Sequence, residues 1–267
     1  MDAFTLPAAW LPYTAIGPWE TGFVFLIYAA GFFIRGAFGF GSNMPIVLLT
    51  TWVLGPHHAI LLVAVTAAVA QVHLFPAGVK TADWGIARPM FIGMLIGTAC
   101  GTWMLSRLDA EWLTLTMGGL ITMIVIIDRY HLLERLSERI NLRARPVTAS
   151  LALTSGVLGS VSGGGGIYFM APYLKLVCPT PTALRGTNLV LSGLFMMGRI
   201  VFIALLGLLT PNLFIETLLL LPAVALGIWA GTRFFRTATP ERFYAALQLL
   251  LAMAAVVLML KGAKKIF

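Results

Sequence analysis

The chain has 267 residues, of which 59% are hydrophobic and only 10% charged, with a formal net charge of +8. A soluble domain carries about 25% charged residues, so this composition excludes a water-soluble enzyme and requires lipid as the main solvent. The basic excess falls between apolar runs, where membrane orientation places it, and assembles no soluble surface for nucleic acid.

In chain order, residues 1–21 form an N-terminal segment with no basic stretch ahead of the first apolar run, so a cleaved signal peptide is not expected. At roughly 20 residues per span, the remaining length allows about eight transmembrane helices in an all-α integral membrane protein. The first apolar block, 22–55, would be roughly 50 Å long as one helix, against a bilayer core of about 30 Å. Gly36, Gly39 and Gly41 interrupt it, and it resumes through Pro45, which marks a broken helix. The second block, 59–78, follows His57 and His58 and carries Gln71 and His73 as its only strongly polar members. The third, 87–106, follows Lys80 and Asp83 and has Arg88 at its head, and the fourth, 111–127, is followed by Asp128.

Residues 128–146 form the one long polar stretch. Arg129, Arg135, Arg139, Arg143 and Arg145 predict a cytoplasmic linker, and Leu132, Leu133, Leu136 and Ile140 give it one apolar face for the lipid surface. The fifth block, 147–177, is again too long for a plain span. It is broken by Gly159 and by Gly163, Gly164, Gly165 and Gly166, and resumes through Pro172. The sixth block, 184–209, opens with Arg185, Thr187 and Asn188 and contains Arg199. Blocks 213–236 and 241–260 complete the set, and a lysine-bearing tail occupies 261–267.

The halves 22–127 and 147–260 repeat one another. At one offset Gly97, Gly101, Thr102, Glu111, Leu120 and Met123 meet Gly227, Gly231, Thr232, Glu241, Leu250 and Met253, and at a slightly smaller one the glycine breaks coincide. The chain therefore reads as two membrane repeats, each opening with a glycine-broken helix. If the broken blocks cross straight through, the repeats are parallel; if they dip in and return, the repeats are inverted. Duplicated halves with matching interruptions are the construction of secondary transporters, which hold substrate where discontinuous helices meet.

The breaks also carry the candidate chemistry. Unwound backbone is tolerated at membrane depth only when buried in protein or lining a wet cavity. A restarting helix presents N–H groups with partial positive charge, and glycine lets a ligand approach them. Gly39, Gly41, Ser42 and Asn43 at the first break, with Ser162 and Gly163 to Gly166 at the second, are thus candidate donors to one small anion. Arg35, one turn before the first break, and Arg199, inside the sixth block, are cations at depth that need a partner or a cavity. Arg185 and Asn188 lie near the second break in chain order and complete the candidate substrate set. Gln71 and His73 are candidates for a polar or proton path. The spacing of Gly93, Gly97 and Gly101, and of Gly227 and Gly231, suits close helix contact, within one chain or across a homodimer.

Cys100 and Cys178 read as small buried hydrophobes, and no CxxC, HExxH or Walker run occurs, so neither a metal nor another cofactor is expected. A carrier is favoured over a channel, which would need a continuous pore. It is favoured over a membrane enzyme too, because Asp128, Glu111, Glu216 and Glu241 all stand near block ends.

The runs Gly36-Ala-Phe-Gly-Phe-Gly41 and Gly159-Ser-Val-Ser-Gly-Gly-Gly-Gly166, in a duplicated chain with paired small-residue helices, resemble the TauE/SafE family of sulfite and organosulfonate exporters, also called the toluene-sulfonate uptake permeases. The resemblance runs from about Gly22 to Leu260. It implies transport of small sulfur-containing anions such as sulfite or sulfoacetate, outward across a bacterial inner membrane. The first break, Phe-Gly-Phe-Gly-Ser-Asn, is poorer in glycine than the resemblance leads one to expect.

Overall fold

Proline and capping groups set the helix starts. Pro18, Pro56, Pro181 and Pro211 occupy first-turn positions, where a missing N–H costs nothing. Glu20 accepts from the Gly17 amide at 2.7 Å, Asp83 from Gly85 at 3.0 Å and Thr180 from Ala183 at 3.1 Å. The computed structural model describes residues 16–39, 41–109, 141–142, 144–163, 166–237, 239 and 241–242. The expected span 111–127, most of the linker 128–146, the span 241–260 beyond its first residues and the tail 261–267 lie outside them.

Among the described residues the chain forms α1 (Pro18–Phe38), α2 (Asn43–Leu54), α3 (Pro56–Thr81), α4 (Trp84–Arg107), α5 (Arg145–Val161), α6 (Gly166–Val177), α7 (Pro181–Leu205) and α8 (Pro211–Thr237), with no strand. The helices α1, α3, α4, α7 and α8 are long and apolar enough to cross a bilayer. The protein is a multi-pass, all-α membrane protein. Both α2 and α6 have 12 residues, about 18 Å each, which is too short to span. They are the half-helices that follow the two expected breaks.

Close approaches at glycine give the direction of each helix. A Cβ on Gly31 would lie 2.5 Å from Ile46 Cγ1, so α2 turns back along α1 instead of continuing its line. Gly36 faces Ile228, while Gly227 faces Ala29 and Gly231 faces Phe33, so α1 and α8 run parallel. Gly93, Gly97 and Gly101 face Ala149, Leu153 and Val157, so α4 and α5 also run parallel. Gly78 faces Leu189 whereas Gly193 faces Phe75, so α3 and α7 run antiparallel. Corresponding helices of the two halves therefore point in opposite directions, which makes the repeats inverted. The packing follows the same exchange: α1 on α8 matches α4 on α5, α3 on α8 matches α4 on α7, and α3 meets its counterpart α7 at the centre. The glycine spacing of α4 and α8 serves these contacts, as expected.

The two ends of the bundle differ in charge. The end holding the C-termini of α3 and α8 and the N-termini of α4, α5 and α7 exposes Lys80, Arg88, Arg145, Lys175, Arg233 and Arg236. The opposite end exposes Arg107 with Glu20 and Asp109. Between them lies a belt of exposed apolar side chains, among them Leu26, Val72, Ile92, Met197, Leu218 and Leu226, which face lipid.

Candidate functional site

The first break is built on left-handed backbone. Gly39, with φ 83°, ends α1 by donating its N–H to Arg35 O at 2.8 Å, and Gly41 has φ 88°. The chain then reverses, which brings Ser42 and Asn43 back against Arg35. The Arg35 guanidinium donates to Ser42 Oγ at 3.4 Å, to Asn43 Oδ1 at 3.3 Å and, through its other terminal nitrogen, to Gln71 Oε1 on α3. Gln71 in turn donates Nε2 to Leu189 O on α7 at 2.6 Å. All four side chains are buried. The start of α2 thus carries a buried cation with hydrogen-bonding neighbours.

The second break has the same device. Ser162 closes α5 with φ −88° and Gly163 follows at φ 74°. The Ser162 hydroxyl donates to Leu158 O at 2.6 Å. Gly164 and Gly165 lie outside the described residues, and Gly166 opens α6. Arg199, fully buried on α7, donates to Ser160 O at 3.0 Å and lies 5.8 Å from the Phe195 ring centre. Its Nε and its other terminal nitrogen have no hydrogen-bond partner among the described residues.

The helix α7 joins the two breaks. Near its start Arg185 donates to Ala37 O at 3.1 Å and to Gly36 O at 2.6 Å, and stacks 4.4 Å over Phe235. It therefore caps the carbonyl end of α1 before the first break, as Arg199 meets the carbonyl end of α5 before the second. The α2 helix closes the remaining gap: Asn43 Nδ2 lies 3.9 Å from Met196 Sδ, and a Cβ on Gly163 would fall 2.7 Å from Val47 Cγ2. The structure thus gathers Arg35, Gly39, Ser42, Asn43, Gln71, Arg185 and Arg199 around one segment of α7. Asn188 is fully buried on the same helix.

His73 stands apart from this cluster. It lines a cavity of about 820 Å³ between α3 and α8, with Val224, Trp229, Arg233 and Arg236. Glu216 lies near the start of α8, as expected of a residue near a block end, and is buried against His58 Nε2 at 2.6 Å. His57 hydrogen-bonds Leu108 O at 3.0 Å.

The electrostatics follow from this arrangement. Neither Arg35 nor Arg199 has a carboxylate within ion-pair reach among the described residues, where the pair found is His58 with Glu216. Buried charge without a counter-charge is costly, which makes these two arginines the candidates for contact with a polar guest. Sequence reasoning missed Ser192 and Met196 as members of this face, although the spacing of Arg185, Asn188, Ser192 and Arg199 on one helix was there to be read.

Comparison with known proteins agrees with the geometry at family level. The model of the family described as sulfite exporter TauE/SafE matches residues 23–258. No curated protein and no solved structure matches the chain.

Proposed function

Because the chain belongs to the sulfite exporter TauE/SafE family, a family of membrane transporters, we propose that it exports a small sulfur oxyanion such as sulfite or a C2 sulfonate. In this reading the anion binds beside α7 between the two breaks, and access alternates as one part of the inverted bundle moves against the rest. The observation that carries it is the pair of buried guanidiniums, Arg35 and Arg199, with no acidic partner among the described residues. Arg199 is the stronger ligand candidate, since most of its N–H groups are uncommitted, and a guanidinium grips oxyanions through paired donors. The backbone amides of Ser42, Asn43, Gly163 and Gly166 are the further candidate donors.

The end rich in lysine and arginine is assigned to the cytoplasm by the positive-inside rule. We take the membrane to be the inner membrane of a bacterium, and transport to draw on an ion gradient, the membrane potential or the substrate gradient, in keeping with a sequence that has no nucleotide-binding run. The test is counterflow in proteoliposomes with labelled sulfite and sulfoacetate. The wild-type protein exchanges one of them across the bilayer, and Arg199→Gln reduces exchange at least tenfold. A wild-type protein that exchanges none of sulfite, sulfate and C2 sulfonates, and shows no thermal shift with any of them, overturns the proposal.

A further inference from the structure

One face of α7 contains more polar atoms than its neighbours satisfy. Arg185, Asn188, Ser192, Met196 and Arg199 recur every three or four residues and so lie in one row along the helix. The ends of the row are anchored, Arg185 on Gly36 O and Ala37 O, and Arg199 on Ser160 O. The middle is not. Asn188 is 0% exposed and Ser192 1% exposed, yet Asn188 Nδ2, Asn188 Oδ1 and Ser192 Oγ have no hydrogen-bond partner among the described residues. Buried polar side chains in proteins are nearly always paired, so two successive turns of orphaned groups at membrane depth call for a polar occupant. Alanine or leucine in their place would pack without that cost.

We infer that the Asn188–Ser192 step of α7 is the passage between the two breaks, where neutral groups hand a small hydrated oxyanion to and from Arg199. This rests on the anion-transport reading above and adds a division of labour to it. A guanidinium in a dry site holds an oxyanion tightly, and transport needs binding strong enough to enter but weak enough to leave. An amide and a hydroxyl supply such binding. Asn188 Nδ2 and Ser192 Oγ donate to the anion's oxygens, and Asn188 Oδ1 accepts from its hydration water or from the proton of a monoprotonated oxyanion. Chloride carries no proton of its own for Oδ1, whereas a monoprotonated oxyanion does, so this step favours monoprotonated oxyanions over halide. Met196 stands between Ser192 and Arg199 on the same row, with its sulfur toward Asn43, and divides the passage into an amide side and a guanidinium side.

The test compares Asn188→Leu and Ser192→Ala with wild type in the same counterflow assay, alongside thermal unfolding without anion. Each variant loses at least fivefold in sulfur-oxyanion exchange while its melting temperature stays level or rises, because an unpaired buried group has been removed. A structural role gives the opposite pair of results, with lower melting temperature and unchanged exchange per folded molecule. As a second measurement, Ser192→Cys in a Cys100→Ala, Cys178→Ala background reacts with a small anionic thiol reagent, and sulfite slows the reaction. Unchanged exchange in both variants, or an unreactive thiol, overturns the passage while leaving the transporter reading intact. A wild-type protein that moves no sulfur oxyanion removes both.

Discussion

Arg35 and Gln71 show what a guanidinium needs at membrane depth. The acceptors Ser42, Asn43 and Gln71 surround Arg35, and Gln71 is fixed in turn by Leu189 O. Replacing Gln71 by leucine leaves a charged donor and a backbone carbonyl without partners. That substitution is expected to cost about 1–3 kcal/mol in detergent unfolding. The His58–Glu216 contact is a weaker tie, because the His58 side chain keeps 33% of its exposure while Glu216 keeps 3%. A double-mutant cycle with His58→Ala and Glu216→Gln should give a coupling of about 1 kcal/mol or less. At this scale the sequence was informative about cost and silent about partners. A cation inside an apolar block is visible by composition alone, so Arg35 and Arg199 stood out. That Gln71 meets Arg35, or that Arg185 turns to the end of α1, depends on chain reversals that spacing along one helix does not report.

At the level of elements, glycine serves two separate purposes, and the structure tells them apart. Gly39 and Gly163 adopt left-handed backbone that ends a helix. Gly36, Gly97, Gly101 and Gly231 instead make room for a neighbouring backbone: a Cβ on Gly36 would lie 2.6 Å from Ile228 O, and one on Gly101 2.5 Å from Val157 O. Gly39→Ala should cost about 1–2 kcal/mol from its φ, and more because the added Cβ would lie 3.0 Å from Arg185 O. Gly97→Leu, facing Leu153 O, should exceed the roughly 1–3 kcal/mol of ordinary overpacking and abolish the monodisperse peak in size-exclusion chromatography. Both functions were legible, since a cluster of glycines within an overlong apolar block and a repeat of small residues every fourth position leave different marks. What hydropathy could not register was that α2 folds back along α1, because an apolar run looks the same in either direction.

For the molecule as a whole, that reversal decides between parallel and inverted repeats, and with it which groups share an end. The six exposed lysines and arginines from Lys80 to Arg236 collect on one side only in the inverted arrangement. In a background lacking Cys100 and Cys178, a cysteine at Lys80 or Arg236 should label from the cytoplasmic side, and one at Trp19 or Arg107 from the other. Labelling of both pairs from the same side contradicts the assignment. The exchange of partners between repeats has a further consequence for biogenesis. The α1 helix packs along α8, almost the whole described chain later, and α4 along α5. When the ribosome has released only the first repeat, the notches at Gly36 and along Gly93 to Gly101 have nothing to receive. Insertion and assembly must therefore be separate events, with the early helices held loosely in lipid until their late-arriving counterparts are made.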